Sequence, residues 1–322
     1  FFFKQKTAYE IKECDWSSDV CSSDLFADDY RLFTTSLCEV CLITMYSKII
    51  CPTDFSQASY NAVEYAAKLA QVFWCELVLV HIEKVLPVSF HTTYDINPGP
   101  QVLERSRNAA EALRQLSEDI NKKFHISSRF EVEITGKKLA KAIADSEDGE
   151  VLFVTGTQGS ENIFDSIFGT HSFQLVKETS ASVLIVPESF AYQTISKVLY
   201  ITTDENAGAL ALEKLNTFVE KFHVHLCFLN TGDVTTYEEC RKQVNSFFKD
   251  RLIDIDFWNK HSRDVYSVLE ELAGDRQFDL LVIQEFEKTL LNRLMHEDPV
   301  KKLSAELNLP LLVLHQENRI SG

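Results

Sequence analysis

The chain has 322 residues, a formal net charge of −16 and a pI near 5.0. This acidic balance argues against a nucleic-acid surface, because nucleic-acid-binding domains are usually basic. No apolar run reaches the roughly 18 residues of a membrane span, and the length fits two domains of about 140 residues each.

The first 44 residues differ in character from the rest of the chain. Back-translation of residues 4–11 and 15–25 gives codons that resemble the adapters used in short-read sequencing. We interpret residues 1–25 as adapter-like and residues 1–44 as a non-native or disordered leader. Met45 stands two residues before the first predicted strand and is the expected start.

The cysteines indicate a reducing compartment. Cys38 and Cys41 form a CxxC pair in the leader, which we interpret as upstream sequence; a redox pair or half a zinc site is the alternative. Four cysteines remain in apolar or helical settings, as is typical of a cytoplasmic protein without a signal peptide: Cys51, Cys75, Cys227 and Cys240.

A first domain is predicted over residues 45–190. Short, nearly continuous apolar runs predict strands at residues 47–52, 77–82, 128–134, 151–155 and 183–187. Residues 58–72 are predicted to form the first helix, because Tyr60, Val63, Ala67 and Ala70 recur at helical spacing and would face the core. Residues 86–100 are predicted to be a surface loop.

The same pattern recurs about 150 residues later and predicts a second domain over residues 196–317. Its strands are expected at residues 196–202, 224–229, 252–258, 280–283 and 311–315, with a helix at 207–222. Alternating strands and helices predict an α/β fold of two tandem doubly wound domains, each with a parallel sheet and helices on both faces.

Glycines gather directly after the fourth strand. Gly156 and Gly159 could expose backbone N–H groups, and Gly169-Thr170 would open a helix whose N-terminus suits a phosphate. In open parallel sheets, ligands bind beyond the carboxyl ends of the strands, where residues 52–54 also lie. The spacing predicts a phosphate cradle, with ordinary turn and cap residues as the alternative.

These motifs resemble those of the universal stress protein family. The ATP-binding variant of that family carries G-x2-G-x9-G-[ST], which Gly156, Gly159, Gly169 and Thr170 match, and the first strand commonly ends in Pro-Thr-Asp-Phe-Ser, as at residues 52–56. The second strand commonly ends in His-Val, similar to residues 81–82. The resemblance covers nearly all of residues 45–317. It implies five strands in the order 3-2-1-4-5 in each domain, and halves paired through their fifth strands as an intrachain pseudo-dimer.

The resemblance also implies that the first domain binds ATP with magnesium, or else ADP or AMP. Asp54 would bond the ribose, the backbone of Ile82 would meet the adenine edge, and Gly156 would lie near the ribose. The remaining motif residues would hold the phosphates. The predicted nucleotide-binding residues are Pro52, Thr53, Asp54, Ile82, Gly156, Gly159, Gly169, Thr170, His171 and Ser172.

Some of these residues have other readings. Asp54 could cap the helix that starts near Ser56, and His81 is better explained as a packed or boundary histidine than as a ligand. His171 and Ser172 depart from the small apolar residue and Thr of many family members. The two lysines after Gly136 lie near the same sheet edge and could bind a ligand, but we interpret Gly136 as the start of the third helix.

The second domain is predicted to be degenerate. When the two halves are aligned by their fourth strands, Glu285 and Lys288 stand where the first half has Gly156 and Gly159. When they are aligned by their last strands, the acidic residues 297–298 stand where the first half has residues 169–170. Carboxylates repel phosphate, so we expect no nucleotide there. Asp204 persists and is interpreted as a helix-start residue.

We expect a nucleotide-binding regulatory protein of the stress response, with an unidentified protein partner and no catalytic or metal site. The motif loop holds no Lys or Arg to clamp a transferring phosphate, so the chain is expected not to be an enzyme beyond weak ATP hydrolysis. A slow ATPase and an interaction module with empty sites remain alternatives, and the whole chain could also form a homodimer.

Overall fold

The computed structural model describes residues 46–84, 99–135, 150–156, 175–176, 179, 181–202, 208–251, 253–260, 278–284 and 309–315. The first half contains β1 (Lys48–Pro52), α1 (Gln57–Phe73), β2 (Glu76–Lys84), α2 (Pro100–Phe124), β3 (Ser128–Thr135), β4 (Val151–Gly156) and β5 (Ser182–Val186). The second contains β6 (Lys197–Thr202), α3 (Ala209–Val219), β7 (His225–Asn230), α4 (Val234–Phe248), β8 (Asp254–Asn259), β9 (Leu280–Gln284) and β10 (Leu311–Leu314).

The described strands form one sheet in the order β3-β2-β1-β4-β5-β10-β9-β6-β7-β8. All neighbours pair in parallel except β5 and β10, which pair antiparallel where the two halves meet. Each half thus has its third, second, first, fourth and fifth strands side by side, which is the order that the resemblance implies. The predicted α/β class is confirmed.

Local chemistry explains where the first two helices begin and end. Ser56 precedes α1 and its hydroxyl accepts a hydrogen bond from the Ser59 N–H at 3.2 Å, a typical N-cap. The helix ends at Trp74, which adopts the left-handed conformation with φ of 57°. Helix α2 begins at Pro100, where a missing N–H costs nothing, so the expected loop ends one residue earlier than predicted.

The prediction that Tyr60 faces the core is wrong. Its side chain is 39% exposed, whereas Val63, Ala67 and Ala70 are buried as expected. The inward position in this turn belongs to Ser59, whose hydroxyl lies 3.0 Å from that of Thr53. Consecutive residues point about 100° apart on a helix, so Tyr60 points outward.

The two halves share one apolar layer beneath the helices. The centroid of the Phe73 ring of α1 lies 5.3 Å from that of Phe218 in α3 and 5.8 Å from that of Phe222, in the turn after α3. Lys214 is almost fully buried nearby and donates to the His315 carbonyl at 3.2 Å, and its ammonium lies 3.8 Å from a Glu150 carboxylate oxygen. The junction therefore combines a continuous sheet with a packed aromatic cluster.

Within the described residues, no helix has the length and apolar character that crossing a membrane requires.

The cysteines of this part of the chain are all free thiols. Burial raises the pKa of the Cys51 thiol and raises that of the Cys75 thiol to about 12.

Candidate functional site

The candidate site lies at the carboxyl ends of β2, β1 and β4, which are neighbours in the sheet. After β1 the chain crosses to β2 on one side, whereas β4 lies on the other, so the strand order switches here. Open α/β sheets bind ligands in a cleft at such a point. The residues at these ends are 53–55 after β1, 81–82 in β2 and Gly156 in β4. Five of the ten predicted binding residues are thereby brought together: Pro52, Thr53, Asp54, Ile82 and Gly156.

Thr53 anchors the loop after β1. It is only 5% exposed, and its N–H donates to the Val80 carbonyl at 2.8 Å. Its hydroxyl accepts from the Phe55 N–H at 3.1 Å and lies 3.0 Å from the Ser59 hydroxyl. Because the buried Thr53 hydroxyl is engaged in these hydrogen bonds, it stabilises the loop conformation and does not face a ligand.

Asp54 is the exposed acidic group of this loop. Its Oδ1 accepts a hydrogen bond from the Ser56 N–H at 3.0 Å, which closes a turn just before α1. The helix cap itself is Ser56, so the interpretation of Asp54 as the cap of α1 is wrong. The carboxylate is held at the mouth of the cleft with its direction fixed by the turn.

Phe55 holds a backbone conformation that aromatic residues rarely adopt. Its φ is +64°, and such a residue costs on the order of 1–3 kcal/mol unless its surroundings enforce it. The ring packs on His81 with centroids 4.9 Å apart, and the His81 Nδ1 lies 2.9 Å from the Thr53 carbonyl oxygen. His81 is thus a packed histidine, as expected, and it fixes the loop after β1 from the side of β2.

Gly156 ends β4 against the first turn of α1. A Cβ built on it would lie 2.4 Å from the Ala58 carbonyl oxygen and 2.8 Å from its carbon. Real side chains do not approach a backbone this closely, so packing disfavours any side chain at this position whether or not a ligand binds. This close contact couples the end of β4 to the start of α1.

Five predicted residues lie outside the described part of the chain: Gly159, Gly169, Thr170, His171 and Ser172. Residues 136–138, with their two lysines, also lie outside it. What the structure places is therefore the side of the cleft that the resemblance assigns to the nucleoside.

Acidic groups dominate the charge of the described part of this cleft. Besides Asp54, Glu83 follows in β2, and its carboxylate pairs with the Arg105 guanidinium of α2 at 2.5 Å and lies 3.9 Å from the His81 Nε2. Since the Arg105 guanidinium is paired with Glu83, this ion pair adds little net positive charge to the described part of the cleft.

Sequence reasoning missed Phe55 and the reason for Gly156. Neither helix periodicity nor strand propensity signals a positive φ at a phenylalanine, and the contact of Gly156 with Ala58 joins residues 98 positions apart. The available signal was the run at residues 52–56, whose spacing fits a fixed turn.

The second half corrects one predicted correspondence. Ile49 pairs with Leu152 in the first half, and the equivalent Val198 pairs with Leu280 in the second. Gly156 lies four residues after Leu152, so its counterpart is the residue four after Leu280, which is Gln284 rather than Glu285. Gln284 is fully buried, so the glycine is replaced by a large side chain.

The helix after β6 changes accordingly. Trp74 ends α1 in the left-handed conformation, and His223, in the turn that follows α3, adopts the same conformation. Aligning these two residues places Gly208 opposite Ser59. Helix α3 is described only from Ala209, three residues later than α1 by this alignment, and Gly208 has a φ of 66°. A side chain at position 284 is incompatible with the close helix contact that Gly156 permits, so the equivalent cleft is built differently.

Comparison with known proteins assigns the fold to a family. Residues 45–187 match the model of the universal stress protein family. A universal stress protein of Methanocaldococcus jannaschii is 21% identical over 158 residues, 44% of this chain and 95% of that protein. The crystal structure of a universal stress protein from Archaeoglobus fulgidus is 14% identical, covers 84% of this chain and 99% of that one, and superposes with a TM-score of 0.63. A universal stress protein solved in complex with cAMP is 21% identical, covers 45% of this chain and 99% of that one, with a TM-score of 0.33.

Proposed function

Residues 45–187 match the universal stress protein family, and we propose that this first half binds an adenine nucleotide and that the chain acts as a nucleotide-dependent regulatory protein of the stress response. ATP with magnesium is the proposed ligand, with ADP and AMP as alternatives. The observation that carries the proposal is the meeting of Asp54, Ile82 and Gly156 at the ends of three adjacent strands.

The nucleoside side of the cleft has suitable chemistry. The exposed Asp54 carboxylate can accept hydrogen bonds from ribose hydroxyls, and its orientation is fixed before binding by the Ser56 N–H. Ile82 is half-buried near the end of β2, where an adenine edge could meet its backbone and its apolar side chain. A preformed turn lowers the entropy that binding has to overcome.

The phosphate side rests on the motif at Gly156, Gly159, Gly169 and Thr170. Glycines allow backbone N–H groups to approach a phosphate closely, and the amide of His171 and the Ser172 hydroxyl follow directly. Magnesium would neutralise part of the phosphate charge, which the acidic surroundings at Asp54 and Glu83 otherwise oppose.

The contact between β4 and α1 offers a route for regulation. A nucleotide bound at the end of β4 would act on the first turn of α1 through the contact between Gly156 and Ala58. The other end of α1 packs through Phe73 on Phe218 of the second half. A ligand shifts a conformational equilibrium only by its difference in affinity between the states. Binding alone suffices for such a switch, so we propose that hydrolysis is slow or absent.

The test is a calorimetric titration of MgATP into the full chain, followed by competition with ADP, AMP and cAMP. We expect one site per chain with micromolar affinity, roughly −8 kcal/mol. Asp54→Ala should weaken binding by about tenfold, the loss of roughly one hydrogen bond to a charged group. Asp204→Ala is the matched control in the second half and should leave the affinity unchanged.

Other outcomes separate the alternatives. Two sites per chain would contradict the degenerate second half. The absence of both heat and retained nucleotide would exclude the switch and favour a protein-interaction module. Steady phosphate release that disappears in Gly159→Glu would identify a slow ATPase instead.

A further inference from the structure

Three metal-ligating side chains meet on β7 and β8, on the opposite half of the molecule from the proposed nucleotide. His225 and Cys227 alternate along β7 and so share one face of the sheet. Asp256 is the direct cross-strand partner of Cys227 in β8. The ligand atoms of all three lie within 4.8 Å of one another, and the His225 Nε2 is 2.9 Å from Asp256 Oδ2.

We propose that His225, Cys227 and Asp256 bind a zinc ion. A thiolate, an imidazole nitrogen and a carboxylate oxygen are the three kinds of protein ligand that zinc takes, at about 2.0–2.3 Å each. Ligand atoms around a tetrahedral ion at those distances lie roughly 3.3–3.7 Å apart, so modest rotations of His225 and Asp256 close the site. Water would occupy the fourth position.

The burial of the three groups suits a metal site that opens to solvent on one side. Cys227 is 4% exposed and forms the floor, whereas the His225 and Asp256 side chains are 42% and 56% exposed and form the rim. An ion can therefore enter from the rim, and the thiol gives up its proton to solvent as the sulfur–metal bond forms.

The first half provides an internal comparison. By strand register, the positions of His225, Cys227 and Asp256 correspond to Glu76, Val78 and Arg129. There the Arg129 guanidinium pairs with the Glu76 carboxylate at 3.0 Å, and a valine replaces the thiol. The same place in the same fold thus needs no metal ligands for stability, so their convergence is particular to the second half.

Two charges act on the site in opposite directions. Burial and the Asp256 carboxylate raise the pKa of the Cys227 thiol to about 11, while Lys197 on the neighbouring β6 acts to lower it. The Lys197 ammonium also repels a cation, but its side chain is exposed and can extend into water. A divalent ion bound by the carboxylate and thiolate would outweigh one solvated ammonium at this surface.

The experiment is a Co²⁺ titration of the metal-free full chain carrying Cys38→Ser and Cys41→Ser, so that the CxxC pair of the leader supplies no thiolate. Zn²⁺ is added afterwards as competitor. Cobalt bound by a thiolate gives a sulfur-to-metal charge-transfer band, and we expect this band to saturate at one ion per chain and to vanish when zinc displaces cobalt. Cys227→Val, which copies the valine of the first half, should abolish the band. Asp256→Asn should weaken binding by more than the roughly 10–100-fold typical of losing an outer-shell partner.

The matched control is Cys240→Val, which removes another buried thiol, on α4, and should leave the band unchanged. Urea unfolding of each variant establishes that it is folded. The absence of a charge-transfer band in the folded chain that retains Cys227 would overturn the proposal, as would a band that persists in folded Cys227→Val. These readouts do not depend on nucleotide, so they stand or fall separately from the proposed function.

Discussion

Replacing Gly156 by alanine tests whether this glycine is required by packing, by a ligand or by both. The added Cβ would lie 2.4 Å from the Ala58 carbonyl oxygen, 2.8 Å from its carbon and 3.2 Å from the Ser59 nitrogen. An ordinary carbon contact is about 3.5–4.0 Å. The start of α1 would therefore have to retreat from β4 by roughly 1 Å.

The expected cost follows from what resists that retreat. Ala58 and Ser59 belong to the capped first turn of α1, and Ser59 is also bonded to Thr53. Forcing an extra carbon into such a place costs about 1–3 kcal/mol. A Gly→Ala change in an unstrained position instead gains about 0.4–1 kcal/mol from the unfolded chain, so the predicted net loss is about 1–2 kcal/mol.

Urea unfolding of the nucleotide-free chain measures this loss, with Gly99→Ala as control because nothing lies within 4 Å of a Cβ there. We expect a lower midpoint for Gly156→Ala at an unchanged slope, and a change below about 1 kcal/mol for the control. An equal midpoint for Gly156→Ala and wild type would refute the packing argument. Nucleotide affinity would then remain the explanation for the glycine.

Three further outcomes follow from the structure. Ser56→Ala should cost about 1 kcal/mol, because the Ser59 N–H loses its side-chain acceptor; an unchanged urea midpoint would contradict this. Phe73→Ala should lower the free energy of unfolding by about 3–5 kcal/mol. The unfolding midpoints reported by spectroscopic probes in both halves should fall together, because the ring contacts Phe218 of the second half. A lower midpoint in the first half alone would show that the halves unfold independently. Burial raises the pKa of the Cys75 thiol to about 12, so the rate at which iodoacetamide alkylates Cys75 in the folded chain should still rise tenfold per pH unit between pH 9 and 11. In the unfolded chain this rate should level off near pH 9. A plateau near pH 9 in the folded chain would contradict the raised pKa.

Strand positions could be predicted from the sequence because buried parallel strands are continuous apolar runs. The run at residues 183–187 was expected as the fifth strand, and the observed strand Ser182–Val186 is fully buried in the structure. Register was harder to predict. Residues 280–283 are all apolar, so shifting the alignment of β9 with β4 by one residue still matches apolar residues with apolar residues. The pairing of Val198 with Leu280 in the structure identifies Gln284 as the counterpart of Gly156.

The placement of Asp54 and Ile82 at one sheet edge could be predicted from the sequence, because the run after β1 and the end of β2 match family motifs. Their role in binding stays a prediction, and the contacts that hold the loop after β1 could not be predicted. The positive φ of Phe55 and its packing on His81 arise from tertiary contact, which overrides local propensity. Tyr60 was misplaced for the same reason, since the bond between Ser59 and Thr53 sets the rotation of α1.

The pairing of β5 with β10 has a consequence for biosynthesis. The β5 segment Ser182–Val186 is entirely apolar after its first residue, and among the described strands the one that pairs with its outer edge is β10, about 125 residues downstream. At about 5–20 residues per second, a ribosome leaves that edge bare for roughly 6–25 s, and bare apolar edges recruit other strands. The outer strands of the finished sheet carry charges instead, Arg129 and Glu131 on β3 and Asp254 and Asp256 on β8. The vulnerable period of this protein is therefore the interval in which only its first half has left the ribosome, when a chaperone that shields β5 would matter most.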